Sequence, residues 1–287
     1  MIFAGSPRTV LRQAEADLMA RRAAAADMAE AVLAALGGLD GAASAVPGAA
    51  AAGQAIAAAV ATHRAQFPPG REPPYHDMHH QAHATVAMGW LCAEACRRNA
   101  LTPAEAVGGI LAMAGHDLLH DGSVPQPGVL EARSADATAA LAAGAGVAAP
   151  TIALIRRIIA ATDPHRPPDP ADLPARLARE ADLFESITPD LGWRLGAALA
   201  REWRAAGSAP EPPIDSYAGR LAFLRALPPT TAMGRVFGLE AAVADQLAAL
   251  AALGAGAAEA GAARLDALPA EAAQAAFRQA LGAVGGA

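Results

Sequence analysis

The chain has 287 residues, of which 54% are hydrophobic, 4% aromatic and 17% charged, with a formal net charge of −6. That much apolar content with so little net charge excludes an intrinsically disordered chain, and the acidic balance excludes a nucleic-acid scaffold, which needs clustered cations in excess. Alanine fills 84 positions and lysine none, so all 22 basic residues are arginine; against that background an alanine run signals little beyond helix propensity.

Helical periodicity recurs along the chain, and β-branched alternation never lasts the length of a strand. Ser6 and Pro7 read as the N-cap and first residue of a helix reaching about Leu36, stopped by Gly37 and Gly38. A loose Ala/Gly stretch then runs to about Gly53, followed by helix to about Gln66. PPGREPPYHD (68–77) breaks the pattern. Helices are expected over 77–99, 103–120, 130–145, 150–162, 171–186 and 189–206, and APEPPIDS (209–216) marks the next break before alanine-rich helix resumes near Tyr217. The expected class is all-α, in three segments: an N-terminal Ala-rich part (1–66), a central core (67–208) and a C-terminal helical part (209–287).

The N-terminus lacks the charged start, apolar core and cleavage pattern of a signal peptide, and no stretch offers some twenty strongly apolar residues. A cytoplasmic protein without membrane segments is expected. Cys92 and Cys96 lie four apart on one helical face, a poor geometry for a disulfide, and are expected to be buried and reduced. The Ala-rich ends are candidates for shaping a pocket or mediating a homodimer.

The rare residues carry the signal. Of eight histidines, seven fall between His76 and His165. On a helix, His76, His80 and His83 share one stripe with His79 on its flank, and that stripe turns apolar one turn later. Imidazoles there are costly to bury unless they are coordinated or hydrogen-bonded. In GGILAMAGHDLLHDG (108–122) an apolar helix ends in His116–Asp117, with His120 one turn on. A third apolar helix ends in Thr162, Asp163 and His165, and Asp182 stands between Ala181 and Leu183 on an apolar face.

This order, H…HD…D on helices, resembles the HD-domain metal-dependent phosphohydrolases and, within them, the class I cyclic nucleotide phosphodiesterases. PPYHDMHH (73–80), HDLLHDG (116–122), ATDPH (161–165) and ADLFESITP (181–189) carry the resemblance, over less than half of the chain. It implies an HD-type helical bundle with added N- and C-terminal helices. It implies His80, His116, Asp117 and Asp182 as ligands of a first metal, with Asp117 bridging to a second metal otherwise held by water. It also implies attack by a metal-bridging hydroxide on a phosphodiester or nucleotide, His76 as general acid and His120 as its partner. Histidine/carboxylate sets suit Zn, Fe or Mn at the first position, and a water-rich second position suits Mg or Mn.

EARSADA (131–137) is similar to the E-x-x-S-A helix start of small bacterial HD hydrolases, which implies Glu131 as a base or acceptor for metal-bound water and Arg133 as a phosphate contact. Tyr75 is expected to orient the acid or line the mouth, with His83 and His165 as further substrate contacts. The purine-binding glutamine and aromatic clamp of the cyclic nucleotide phosphodiesterases have no clear counterpart late in the chain, where only Gln246 and Phe237 are available. Two other readings stand on the same motifs: a mixed-valent di-iron oxygenase, which adds two histidine ligands for which His120 and His165 lie in the right interval, and a catalytically weak nucleotide-binding module.

Overall fold

The computed structural model describes residues 3–68, 70–123 and 126–285, and among them it is all-helical, with no strand. Residue 69, in the expected break at 68–77, lies outside the described residues. The described residues form two compact units: those within 17–185, and residues 3–16 together with 186–285. The boundary at 185/186 falls inside the 67–208 segment that composition suggested as one core.

The first unit holds α2 (Met28–Gly37), α3 (Ala49–Arg64), α4 (Met78–Arg97), α5 (Pro103–Gly115), α6 (Val129–Gly144), α7 (Ala149–Ala160) and α8 (Leu173–Asp182), with the latter part of α1 (Pro7–Arg22). Its axis is α5, which packs against α2, α3, α4, α6, α7 and α8. The sequence explains why. A Thr102–Glu105 capping box and Pro103 start the helix, and every residue from Ala106 to Gly115 is buried. Ile110, Leu111 and Met113 are fully enclosed, each contributing about 1.5–3 kcal/mol. Glycine lets neighbours close in: a Cβ at Gly109 would lie 2.4 Å from Met88, and one at Gly53 2.5 Å from Val32.

The second unit contains the first part of α1, α10 (Pro189–Ala205), α11 (Tyr217–Ala226), α12 (Ala232–Val236), α13 (Leu239–Leu253), α14 (Ala258–Asp266) and α15 (Ala270–Gly285); the short α9 (Phe184–Ile187) crosses the boundary. Its core gathers Tyr217, Leu221, Leu250, Leu265 and Phe277. Buried Arg220 pins the start of this unit, donating to the carbonyls of Ser186, Ile187 and Thr188 and to Gln246 Oε1.

Several expected boundaries move. The single helix to Leu36 is two, because Asp27 takes an extended backbone and its carboxylate caps Ala29 and Glu30 at 2.8 and 3.0 Å. The next helix starts at Ala49 rather than near Gly53, and the helix expected over 103–120 ends at Gly115, leaving 116–119 as a turn. That early ending decides where the His116 and Asp117 side chains point. Cys92 is buried, Cys96 partly so, and both are free thiols. Among the described residues no single helix is long and apolar enough to cross a membrane.

Candidate metal centre

Three elements of the first unit deliver four side chains to one point. Asp77 caps α4 and accepts the His80 amide at 2.7 Å, fixing the first turn from which His80 projects. His116 and Asp117 leave the end of α5, and Asp182 is the last residue of α8, which packs on both α4 and α5. His80 Nε2 lies 3.2 Å from Asp182 Oδ1 and 3.5 Å from Asp117 Oδ2. His116 Nε2 lies 3.1 Å from Asp117 Oδ2 and 3.5 Å from Asp182 Oδ1.

These atoms crowd together without bonding. His80 Nε2, His116 Nε2 and Asp117 Oδ2 are buried and have no hydrogen-bond partner among the described residues, a costly state for any polar atom. His116 Nδ1 lies 2.8 Å from the Met113 carbonyl. A carbonyl only accepts, so Nδ1 carries the proton and the neutral ring aims its Nε2 lone pair at the cluster. Donors about 2.1 Å from a tetrahedral metal stand roughly 3.4 Å apart, and the four imidazole–carboxylate separations lie in that range. His80, His116 and Asp182 can hold a metal ion together, and Asp117 faces the same point.

Charge tells the same story. Burial pushes the Asp117 and Asp182 carboxyls up and the His116 imidazole down, but their mutual attraction wins: both carboxyls are held below the usual carboxylate range and His116 well above the usual imidazole value. Without a metal, a proton takes the cation's place.

The supporting groups are ones the sequence did not reveal. Buried Arg64, at the end of α3, donates to the carbonyls of Asp117 and His120, 3.3 Å each. Gln81 Nε2 donates to the Ala114 carbonyl at 3.0 Å, Thr138 Oγ1 to Gly115 O at 3.1 Å, and Ser134 Oγ accepts the Leu119 amide at 3.2 Å. Together they hold the turn carrying His116 and Asp117 from three sides. An arginine closing an alanine helix looks like an ordinary answer to the helix dipole, so only Ser134, inside EARSADA, stood in a motif singled out from sequence.

The other expected residues divide. His76 precedes the cap of α4, so it leaves the helical stripe expected for it. It remains half-buried, with its ring centroid 5.7 Å from His80 and face-on to His120 at 3.6 Å, planes 21° apart. Tyr75 is buried and its ring meets His76 and His80, both at 4.7 Å. His120 Nδ1 accepts the Gly122 amide at 3.1 Å, which leaves its other nitrogen to carry the proton. Glu131 lies in the first turn of α6, and burial raises its carboxyl pKa, with Asp163, Asp117 and Asp182 adding to the rise. Beside it Asp163 is buried, with Oδ2 unpartnered among the described residues, and buried Arg179 donates to the Asp163 and Arg166 carbonyls.

Three residues expected to contact substrate stand apart from the four-donor group. His83 is buried and its Nδ1 donates to buried Glu185 at 2.6 Å, a packed pair that faces away from solvent. Arg133 and His165 are exposed, outside the four-donor group. In the second unit Gln246 is fully buried and its amide is committed to Arg220 and to the Ile187 and Ala242 carbonyls, so it has no freedom to read a purine. Phe237 is buried against Phe3.

Comparison with protein-family models gives no match to the chain, and none of the curated proteins matches it either.

Proposed function

We propose that the chain is a metal-dependent phosphohydrolase acting on a phosphodiester or nucleotide. The observation that carries this reading is the convergence of four donor atoms, three of them buried and without hydrogen-bond partners among the described residues, beside a half-buried imidazole. His80, His116, Asp117 and Asp182 are the residues to hold the ion. A divalent cation there supplies Lewis acidity toward a phosphoryl oxygen and makes a neighbouring water more acidic.

The rest is the work of side chains. His76 holds the proton that the leaving oxygen takes as the P–O bond breaks, its free pKa lying near working pH. Tyr75 meets the His76 ring edge-on and His120 lies against its face, and the two contacts orient the imidazole. Glu131, whose carboxyl pKa is raised chiefly by burial, is the residue to accept the proton lost by the attacking water. The di-iron oxygenase reading asks for two more histidine ligands, and His165, exposed and outside the four-donor group, does not supply one.

Metal analysis of the purified chain, followed by assays with bis-p-nitrophenyl phosphate and a nucleotide panel, tests the proposal. Bound metal with ester hydrolysis is the expected result; two irons with oxygen consumption and no ester hydrolysis would overturn it.

A further inference from the structure

The second unit contains a cleft of about 420 Å³ bordered by the first part of α1 and by α10, α13 and α15. One wall is aromatic. Trp193 stacks on Tyr217 with ring centroids 4.3 Å apart, and Phe277 meets Tyr217 at 5.5 Å. Leu11 and Leu281 extend the apolar lining. Tyr217 and Phe277 are buried in the core of the unit, while Trp193 is only partly covered and offers its indole to the cleft.

The charges on the rim are not equivalent. Arg8 forms a two-pronged pair with Asp245, both bonds 2.7 Å, and Arg278 reaches Asp190 at 3.2 Å. Glu15 accepts the amides of Asp190 and Leu191, 3.0 Å each, so its carboxylate answers the N-terminus of α10. Arg12 is left. Its Nη2 donates a long 3.5 Å bond to the Thr9 hydroxyl, and among the described residues no carboxylate lies within ion-pair distance of it. A flat aromatic wall, apolar sides and one unneutralised guanidinium form a consistent recognition set, in a space of ordinary ligand size.

We propose that this cleft binds a small planar aromatic anion, its rings against Trp193 and Phe277 and its carboxylate, sulfonate or phosphate on Arg12. This inference does not depend on the chemistry proposed for the metal centre.

The test uses the full chain and two fluorescent probes of similar shape: 8-anilinonaphthalene-1-sulfonate, an aromatic anion, and N-phenyl-1-naphthylamine, its neutral counterpart. The sulfonate is expected to bind saturably at one site. Arg12→Gln, at an exposed position, should weaken the sulfonate about five-fold and leave the neutral probe unchanged. Gly282 lines the cleft, and a Cβ there meets nothing within 4 Å. Gly282→Phe should therefore fill the space without strain and abolish binding of both probes, with the thermal melt unaltered. Absence of saturable binding, an unchanged sulfonate affinity in Arg12→Gln, or wild-type binding by a stably folded Gly282→Phe would each overturn the proposal.

Discussion

Gly115 is the last residue of α5 and directly precedes His116, and its missing side chain sets the position of the metal centre. A Cβ built there would lie 2.1 Å from Thr138 Oγ1, 2.6 Å from its Cγ2 and 2.9 Å from its Cβ. All three contacts are with one β-branched side chain, held between packed helices, so α5 and α6 must part by about an ångström. Overpacking of this kind costs roughly 1–3 kcal/mol. Displacing the Thr138 hydroxyl from the Gly115 carbonyl adds about 1 kcal/mol, and the better helix propensity of alanine returns up to about 1 kcal/mol. Gly115→Ala is therefore expected to lose about 2 kcal/mol in urea unfolding of the metal-free chain. Because the strained carbonyl belongs to the peptide that leads into His116, chelator competition should also show at least ten-fold weaker metal binding, the usual scale for disturbed outer support. The double change Gly115→Ala/Thr138→Ala removes the two closest contacts, leaves only the 2.9 Å approach of the two Cβ atoms, and should recover part of both losses. A Gly115→Ala chain as stable as wild type, or a double variant no better than the single one, would refute the reasoning.

Other outcomes follow from the same geometry. His76→Ala should keep the metal and lower turnover by about 10²–10⁴-fold, the range for a positioned acid; full activity in that variant would remove His76 from its role. Arg64→Met should weaken metal binding about 10-fold or more, because the carbonyls of Asp117 and His120 lose their donor, and isothermal titration reads this directly. The Glu131 carboxyl has a folded-state pKa above its ordinary value of 4.5, chiefly through burial. The folded metal-free chain thus binds more protons than the unfolded one just above pH 4.5, and stability falls as pH rises through that window. Glu131→Gln should accordingly be more stable than wild type at neutral pH, with the difference closing below about pH 4; parallel profiles would contradict the shift. His116, whose pKa is raised, must lose its proton to bind an ion, so metal affinity should keep climbing with pH beyond the ordinary imidazole range.

The sequence exposed the donors and hid what holds them. Histidine is scarce and clustered in this chain, so His80 and His116 stand out, the motif order adds Asp117 and Asp182, and the apolar run of α5 marks the central helix. Alanine concealed the rest. Ala23–Ala26 reads like helix interior, and one capping carboxylate at Asp27 was enough to break it. Arg64, Gln81 and Thr138 hold the end of α5 and the turn after it from 23 to 56 residues away, a relation that no local period encodes. His83 misled for a related reason: a three-residue step from His80 turns far enough around α4 to reach Glu185 instead of the metal site. The division into two units is invisible as well, since residues 3–16 join the later unit and their composition resembles every other segment.

The most direct test of the account is a metal titration of the chelator-treated chain with Mn²⁺, following bis-p-nitrophenyl phosphate hydrolysis against equivalents added. The account predicts that activity rises from nothing to a plateau with the metal bound at the His80, His116, Asp117 and Asp182 site, and that His116→Ala, folded by circular dichroism, shows neither tight binding nor hydrolysis. Wild-type chain that binds the metal tightly without hydrolysing the ester or any nucleotide, or a His116→Ala chain that does both, would contradict it.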